Sequence, residues 1–185
     1  MRLIASLAAA AMLVAACGGN AVTASPSPSP TPKPSPTQQL KYVFTADLKT
    51  TNEVPIINDA EASCSGKGTF TLNTTKDSTG KITAATGQFD LTITGCPTTT
   101  MVTLFHIHKQ VAGQNGSVVI DSGQKAASPI ALTTGGTTAP VTMTNPSVDP
   151  ALATDIIATP SGYYFNVHSQ LHGGGFIRDQ LKPGS

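Results

Sequence analysis

The sequence predicts an all-β domain, built as a two-sheet sandwich or a barrel. Short segments of alternating apolar and polar residues recur along the chain, and clusters of Gly, Asn and Pro separate them. The composition is rich in Thr, Val, Ile and Gly, which suits pleated strands and tight turns. Only 11% of the residues are charged, and a formal net charge of +1 provides no basic footprint for nucleic-acid binding.

The first residues resemble the signal of an exported bacterial lipoprotein. Arg2 precedes an apolar run at 3–14 that is too short to span a bilayer. Small residues lead into Cys17, so residues 1–16 are predicted to be a signal peptide that is cleaved before this cysteine. Cys17 would then carry the lipid, and two or three acyl chains hold a protein firmly at a membrane. We expect a lipid-anchored protein of the cell envelope that faces outside the cytoplasm. The alternative is an ordinary signal peptide with an incidental cysteine.

Residues 17–39 are predicted to form a disordered linker. Proline occupies every second position from Pro26 to Pro36, with Ser, Thr and one Lys between. Such a segment cannot bury a core and favours extended polyproline II, at about 3.1 Å per residue and roughly 40 Å in all. A spacer is a better interpretation than a ligand for a proline-reading domain. Residues 40–185 then form a single domain.

Nine segments with strand character follow one another in this domain. They lie at 42–48, 69–73, 88–94, 102–108, 117–120, 129–132, 141–143, 163–168 and 176–181. One segment departs from the pattern. Asp149 is a typical helix cap and Pro150 suits the first helical position, so a short helix is predicted near 150–159.

Two further cysteines, Cys64 and Cys96, are predicted to form a disulfide bond. An exported protein meets an oxidising compartment, where paired cysteines are normally oxidised. The bond would close a loop of about 33 residues and stabilise the domain by roughly 3–4 kcal/mol on the chain-entropy estimate. A metal-binding thiolate pair is the alternative, although neither cysteine lies in a Cys-x-x-Cys motif.

Two strands carry the most distinctive side chains. In the segment 102–108, the side chains of Val102, Leu104, His106 and His108 are predicted to share one face, with the two imidazoles roughly 7 Å apart. His168 ends a similar apolar segment. We expect these two strands to be neighbours, which would gather three histidines on one surface.

At this point the chain resembles the CHRD, or chordin-type, domain family. Five motifs carry the resemblance, in the family's order: Asn52-Glu53-Val54-Pro55, Gly66-x-Gly68-Thr69-Phe70, His106-Ile107-His108 with Ala112-Gly113-Gln114-Asn115-Gly116, Tyr164-Phe165-Asn166-Val167-His168-Ser169, and Gly174-Gly175-Phe176-Ile177-Arg178-Asp179-Gln180-Leu181. The resemblance implies an immunoglobulin-like Greek-key β-sandwich or barrel. It brings no established activity.

The first expectation for the histidines is a buried, hydrogen-bonded polar cluster that fixes strand register. Its members would be His106, His108 and His168 with the supporting residues Glu53, Asn166 and Arg178. Within it, Glu53 is expected to pair with Arg178.

The alternative is a metal site. Three imidazoles suit zinc or copper and leave a coordination position open, and His172 would be a possible fourth ligand. The Phe-His-Ile-His strand that ends at His108 is also similar to the copper-binding strand of Cu/Zn superoxide dismutase, which implies a possible redox enzyme. Ring nitrogens that converge within about 4 Å of one another, with an exposed position, would favour metal. Rings capped by Glu53, Asn166 or the backbone would favour a structural cluster.

Hydrolase chemistry is not indicated, since no serine lies in a Gly-x-Ser-x-Gly elbow. The sequence therefore predicts a membrane-anchored, non-catalytic binding or structural module. It names no catalytic residue and no particular protein or small-molecule ligand.

Overall fold

The computed structural model describes residues 37–133, 136–137 and 141–184, without the side chains of 145 and 146. The predicted signal peptide at 1–16, Cys17 and nearly all of the predicted linker lie outside the described residues. The described residues form ten strands and one α-helix: β1 (Gln38–Lys49), β2 (Ser65–Lys76), β3 (Ile82–Thr94), β4 (Met101–Lys109), β5 (Ser117–Asp121), β6 (Ile130–Ala131), β7 (Val141–Val148), α1 (Pro150–Ala158), β8 (Tyr163–Ser169), β9 (Ile177–Gln180) and β10 (Lys182–Pro183). Two single-turn 3₁₀ helices lie at Thr50–Asn52 and Pro160–Gly162.

The strands form one continuous antiparallel sheet. Its order is β5-β4-β8-β9-β1-β2-β3-β7, with β6 paired to β4 and β10 to β1. The end strands β5 and β7 approach each other, so the sheet curls nearly into a closed barrel. The prediction of an all-β barrel or sandwich is confirmed, and each of the nine predicted segments coincides with a strand. The described strands do not form two separate sheets, as in a sandwich, but a single hydrogen-bonded sheet.

A cluster of phenylalanine rings fills the core. Phe70, Phe89, Phe105 and Phe165 come from β2, β3, β4 and β8, and each is fully buried. The ring of Phe89 lies 4.9 Å from Phe70, 5.9 Å from Phe105 and 5.7 Å from Phe165 between centroids. Because these four strands lie in two separate parts of the sheet, the cluster holds the curled sheet together. It also fixes β4 and β8, the two histidine strands, on a rigid support.

The helix α1 is where the sequence predicts it. The Asp149 carboxylate accepts hydrogen bonds from the backbone N–H groups of Ala151 and Leu152, at 2.7 and 3.1 Å. Ala153 and Ile156 are fully buried and dock the helix against β3. No helix in the described part of the chain is both long enough and apolar enough to cross a membrane.

The predicted disulfide bond is confirmed. Cys64 directly precedes β2 and Cys96 follows β3, and the two Cα atoms lie 4.4 Å apart. The bond therefore closes the open end of the β2–β3 hairpin.

Candidate metal-binding site

The histidines owe their positions to the pairing of β4 with β8, which confirms that the two histidine strands are neighbours. His106 lies opposite Asn166, and His108 lies opposite Tyr164. Directly opposed residues of an antiparallel pair share a face, so these four side chains stand on one side of the sheet. His168 lies opposite Leu104 and diagonally next to His106. The other face of β4 belongs to the apolar core.

The prediction that Val102 shares the histidine face is wrong. The register of β4 against β8 shifts between Val102 and Leu104, because Thr103 is an extra residue in a β-bulge. Val102 lies opposite Ser169 and is fully buried with the apolar core. The alternation predicted from the sequence holds only from Leu104 onward.

The three rings bring their nitrogens close together. Nδ1 of His106 lies 3.3 Å from Nε2 of His168, and one nitrogen from each of the three rings lies within 4.8 Å of the others. His106, His108 and His168 are 6%, 7% and 6% exposed. Nitrogens bound about 2.0–2.1 Å from a zinc ion lie about 3.3 Å apart in a tetrahedral site. One pair already has this spacing. The separation of up to 4.8 Å exceeds the 4 Å expected of a metal site, so a bound ion would require the ring nitrogens to move about 1.5 Å closer together.

Backbone carbonyl groups set the orientation of two rings. Nδ1 of His108 lies 2.9 Å from the Gly116 oxygen, and Nδ1 of His168 lies 2.9 Å from the Gly173 oxygen. A carbonyl oxygen only accepts, so each Nδ1 carries the proton and each neutral Nε2 keeps its lone pair. The Nε2 atom of His108 is buried and has no hydrogen-bond partner among the described residues. Backbone caps are what a structural cluster predicts. Proteins orient metal-binding histidines in the same way, with the second nitrogen held by a carbonyl.

Burial keeps the imidazoles uncharged. Desolvation lowers the pKa of His106 to about 4, helped by the neighbouring His168 and opposed by the Asp121 carboxylate, which lies 3.9 Å from Nε2. Desolvation also lowers the pKa values of His108 and His168. At neutral pH each of the three rings is therefore uncharged, with one N–H group and one nitrogen lone pair, as metal binding requires.

Glu53 and Arg178 form a separate group beside the triad. Arg178 is 3% exposed, and its Nε lies 3.7 Å from the Glu53 carboxylate, as expected from the sequence. Its guanidinium donates to the Asn52 and Gln114 carbonyls and to the Asn115 side chain. Burial raises the pKa of Glu53 to about 7 despite the opposing charge of Arg178. Among the described residues no hydrogen bond links either side chain to a triad ring. Tyr164 lies between the two groups.

Asn166 lies within the same layer and is 2% exposed, and its Oδ1 has no hydrogen-bond partner in the part of the chain that the structure describes. Gly175 packs directly on it. Its φ of +117° lies in a region that favours glycine, and a Cβ there would lie 2.5 Å from Asn166 Nδ2. The glycine thus lets the β8–β9 turn close over the histidine face.

His172 lies in that turn but outside the triad. Its Nε2 is 3.0 Å from the Asp59 carboxylate and 3.7 Å from that of Glu61. The same Glu61 oxygen accepts a 2.6 Å hydrogen bond from Ser169. The structure therefore gives His172 a carboxylate partner of its own, and it is not a fourth member of the triad.

Tyr164 and Asp121 take part in the site and were not singled out from the sequence. The Tyr164 ring stacks on His108 with 4.8 Å between centroids, and its hydroxyl oxygen accepts from the Gly116 N–H at 3.0 Å. Strand alternation would have identified it, since Tyr164 and His168 share one face of β8. The sequence could not identify the Gly116 and Gly173 carbonyl groups, because every residue carries a backbone carbonyl.

The barrel and its histidine layer are those of a known domain family. The chain belongs to the CHRD domain family, whose model matches residues 44–181, more than half of the chain. The match runs from within β1 to the residue after β9 and contains all three triad histidines. No curated protein matches the chain.

Proposed function

We propose that this protein is a membrane-anchored CHRD module outside the cytoplasm that binds one transition-metal ion and performs no catalysis. The ion is held by His106, His108 and His168. The observation that carries the proposal is the convergence of one nitrogen from each ring within 4.8 Å in a buried site. Neutral imidazole is a preferred ligand of zinc and copper.

The proton positions favour a metal over a purely structural cluster. Buried polar atoms in folded proteins are normally paired, and leaving one unpaired costs about 1–3 kcal/mol. Yet the carbonyl groups of Gly116 and Gly173 turn two lone pairs toward the same point, and no described residue donates a hydrogen bond to Nε2 of His108. A proton on His106 would satisfy His168 alone, whereas a metal ion satisfies all three nitrogens at once.

We propose that the site performs no catalysis because the burial of the three histidines limits the access of substrate to a bound ion. A catalytic metal keeps a position open for substrate, while each histidine here exposes no more than 7% of its surface. Membership of the CHRD family likewise suggests a non-catalytic module. The alternative of a superoxide-dismutase-like copper enzyme predicts that the copper-loaded protein removes superoxide faster than its His108→Phe variant does, and we expect equal rates.

Calorimetric titration of the purified chain, without a histidine tag, tests the metal site. Zinc or copper should bind at one ion per chain, and His168→Asn should weaken binding at least tenfold. His172→Asn is the matched control, because it alters a histidine of the same turn outside the triad and should leave the affinity unchanged. Absence of binding, or equal losses in both variants, would contradict the proposal.

The membrane anchor is proposed from the N-terminal sequence alone. Small residues precede Cys17, and a proline-rich segment long enough to act as a spacer follows it. Cys17→Ser should move the protein from the membrane fraction to the soluble fraction of cells that process lipoproteins. Retention of this variant in the membrane would show that Cys17 is not the anchor.

A further inference from the structure

We infer that the triad prefers monovalent copper, Cu(I), over divalent metal ions, and that the buried charge of Arg178 contributes to this preference. The inference rests on the metal site proposed above and specifies its ligand.

The three converging ligands are all uncharged. Within the described residues, the group that converges on the site consists of three histidines and includes no carboxylate. Three neutral ligands leave the full charge of the ion in a buried site. The desolvation penalty of an ion rises steeply with its charge, so a dication is penalised far more than a monocation.

The described side chains offer three ligands to an ion. Structural zinc sites are almost always four-coordinate. Imidazole also suits copper, and a filled-shell monovalent copper ion is stable with three nitrogen ligands. The nearest further histidine, His172, is held by Asp59 at 3.0 Å. The described side chains therefore supply a set of three that is complete for Cu(I), whereas zinc would need a fourth ligand such as water.

The buried positive charge of Arg178 lies behind the site. The Arg178 guanidinium lies 4.9 Å from the centre of the Tyr164 ring, and that ring stacks on His108 at 4.8 Å. The positive charge thus lies at most about 10 Å from the His108 ring. Since Arg178 is only 3% exposed, water screens this charge weakly.

Two carboxylates oppose Arg178. The Asp121 side chain, 55% exposed, lies near the outer nitrogen of His106 and is screened by solvent. Glu53 lies 3.7 Å from Arg178, but with a pKa of about 7 it is only partly ionised at neutral pH. At about 10 Å and an effective dielectric constant of 20–40, one unit of charge changes the selectivity between a dication and a monocation about tenfold.

The test measures dissociation constants for Cu(I) and Zn(II) on the mature full-length protein by competition with coloured chelators. Copper is kept reduced anaerobically with ascorbate. The native chain should bind Cu(I) more tightly than Zn(II). Arg178→Gln should lower the Cu(I)-to-Zn(II) affinity ratio about tenfold, whereas Arg178→Lys should preserve it if the charge is responsible.

Asp121→Asn provides the opposite perturbation at an exposed side chain and carries the test if Arg178→Gln does not fold. It should raise the affinity ratio several-fold. Zinc binding as tight as Cu(I) binding would overturn the preference while leaving the metal site intact. Unchanged ratios in the folded Arg178 and Asp121 variants would overturn the electrostatic argument, and failure of both metals to bind would overturn the proposed function itself.

Discussion

Replacing His108 with phenylalanine separates a metal ligand from an architectural side chain. Phenylalanine retains a flat ring for the stack on Tyr164 but lacks both nitrogens. In the metal-free protein the variant loses the bond to the Gly116 oxygen, worth about 1 kcal/mol. It also removes a buried nitrogen without a partner, which offsets part of that loss. We therefore expect the metal-free stability to change by no more than about 1 kcal/mol.

The effect should emerge when metal is added. At a free metal concentration of 100 times Kd, the native protein gains about 2.7 kcal/mol, which raises Tm by roughly 5–10 °C for a domain of this size. If losing one ligand weakens binding 100-fold, the gain of the variant at the same concentration falls to about 0.4 kcal/mol. Differential scanning calorimetry with and without metal measures both values.

Two results would refute this reasoning. One is a native Tm that does not respond to zinc or copper, or a response of equal size in the variant. The other is a loss of more than about 4 kcal/mol in the metal-free variant, because that would make the His108 nitrogens a structural necessity. His172→Asn serves as the control and should retain the full metal response.

Two further predictions concern stability. Because His106 has its pKa lowered to about 4 when folded but titrates near 6.5 when unfolded, the unfolded chain binds the extra proton, and stability falls as pH drops from 6.5 to 4. Urea unfolding across this range should show a slope for the native protein that exceeds that of His106→Gln by about 1.4 kcal/mol per pH unit, and equal slopes would contradict the burial of a neutral ring. Replacing Cys64 and Cys96 together with alanine should lower the free energy of unfolding by about 4 kcal/mol, and a loss below about 1 kcal/mol would show that the bond adds little.

Much of the barrel could be predicted because alternation of apolar residues reports burial directly. The core residues Phe70 and Phe89 stand at such positions, and both are fully buried. The true start of β2 could not be predicted, since Gly66 and Gly68 look like turn residues. In the fold they are strand residues beside large side chains: a Cβ on Gly68 would lie 2.8 Å from the Phe165 ring. Only tertiary packing reveals why glycine is placed there.

The grouping of the three histidines could be predicted from the sequence, but the orientation of their rings could not. Period-two spacing places His106 and His108 on one face, and the strand pairing brings His168 to them. The bulge that moves Val102 to the core depends on the register with β8, which no local pattern specifies. The orientation of the rings depends on the carbonyl groups of Gly116 and Gly173, and backbone atoms carry no residue identity.

Anomalous diffraction from crystals of the copper- or zinc-loaded protein would locate the bound ion. We expect one strong peak at about 2.0–2.1 Å from a nitrogen of each of His106, His108 and His168. A peak at His172 and Asp59 instead, or an ordered water bridging the three rings in metal-loaded crystals, would contradict it.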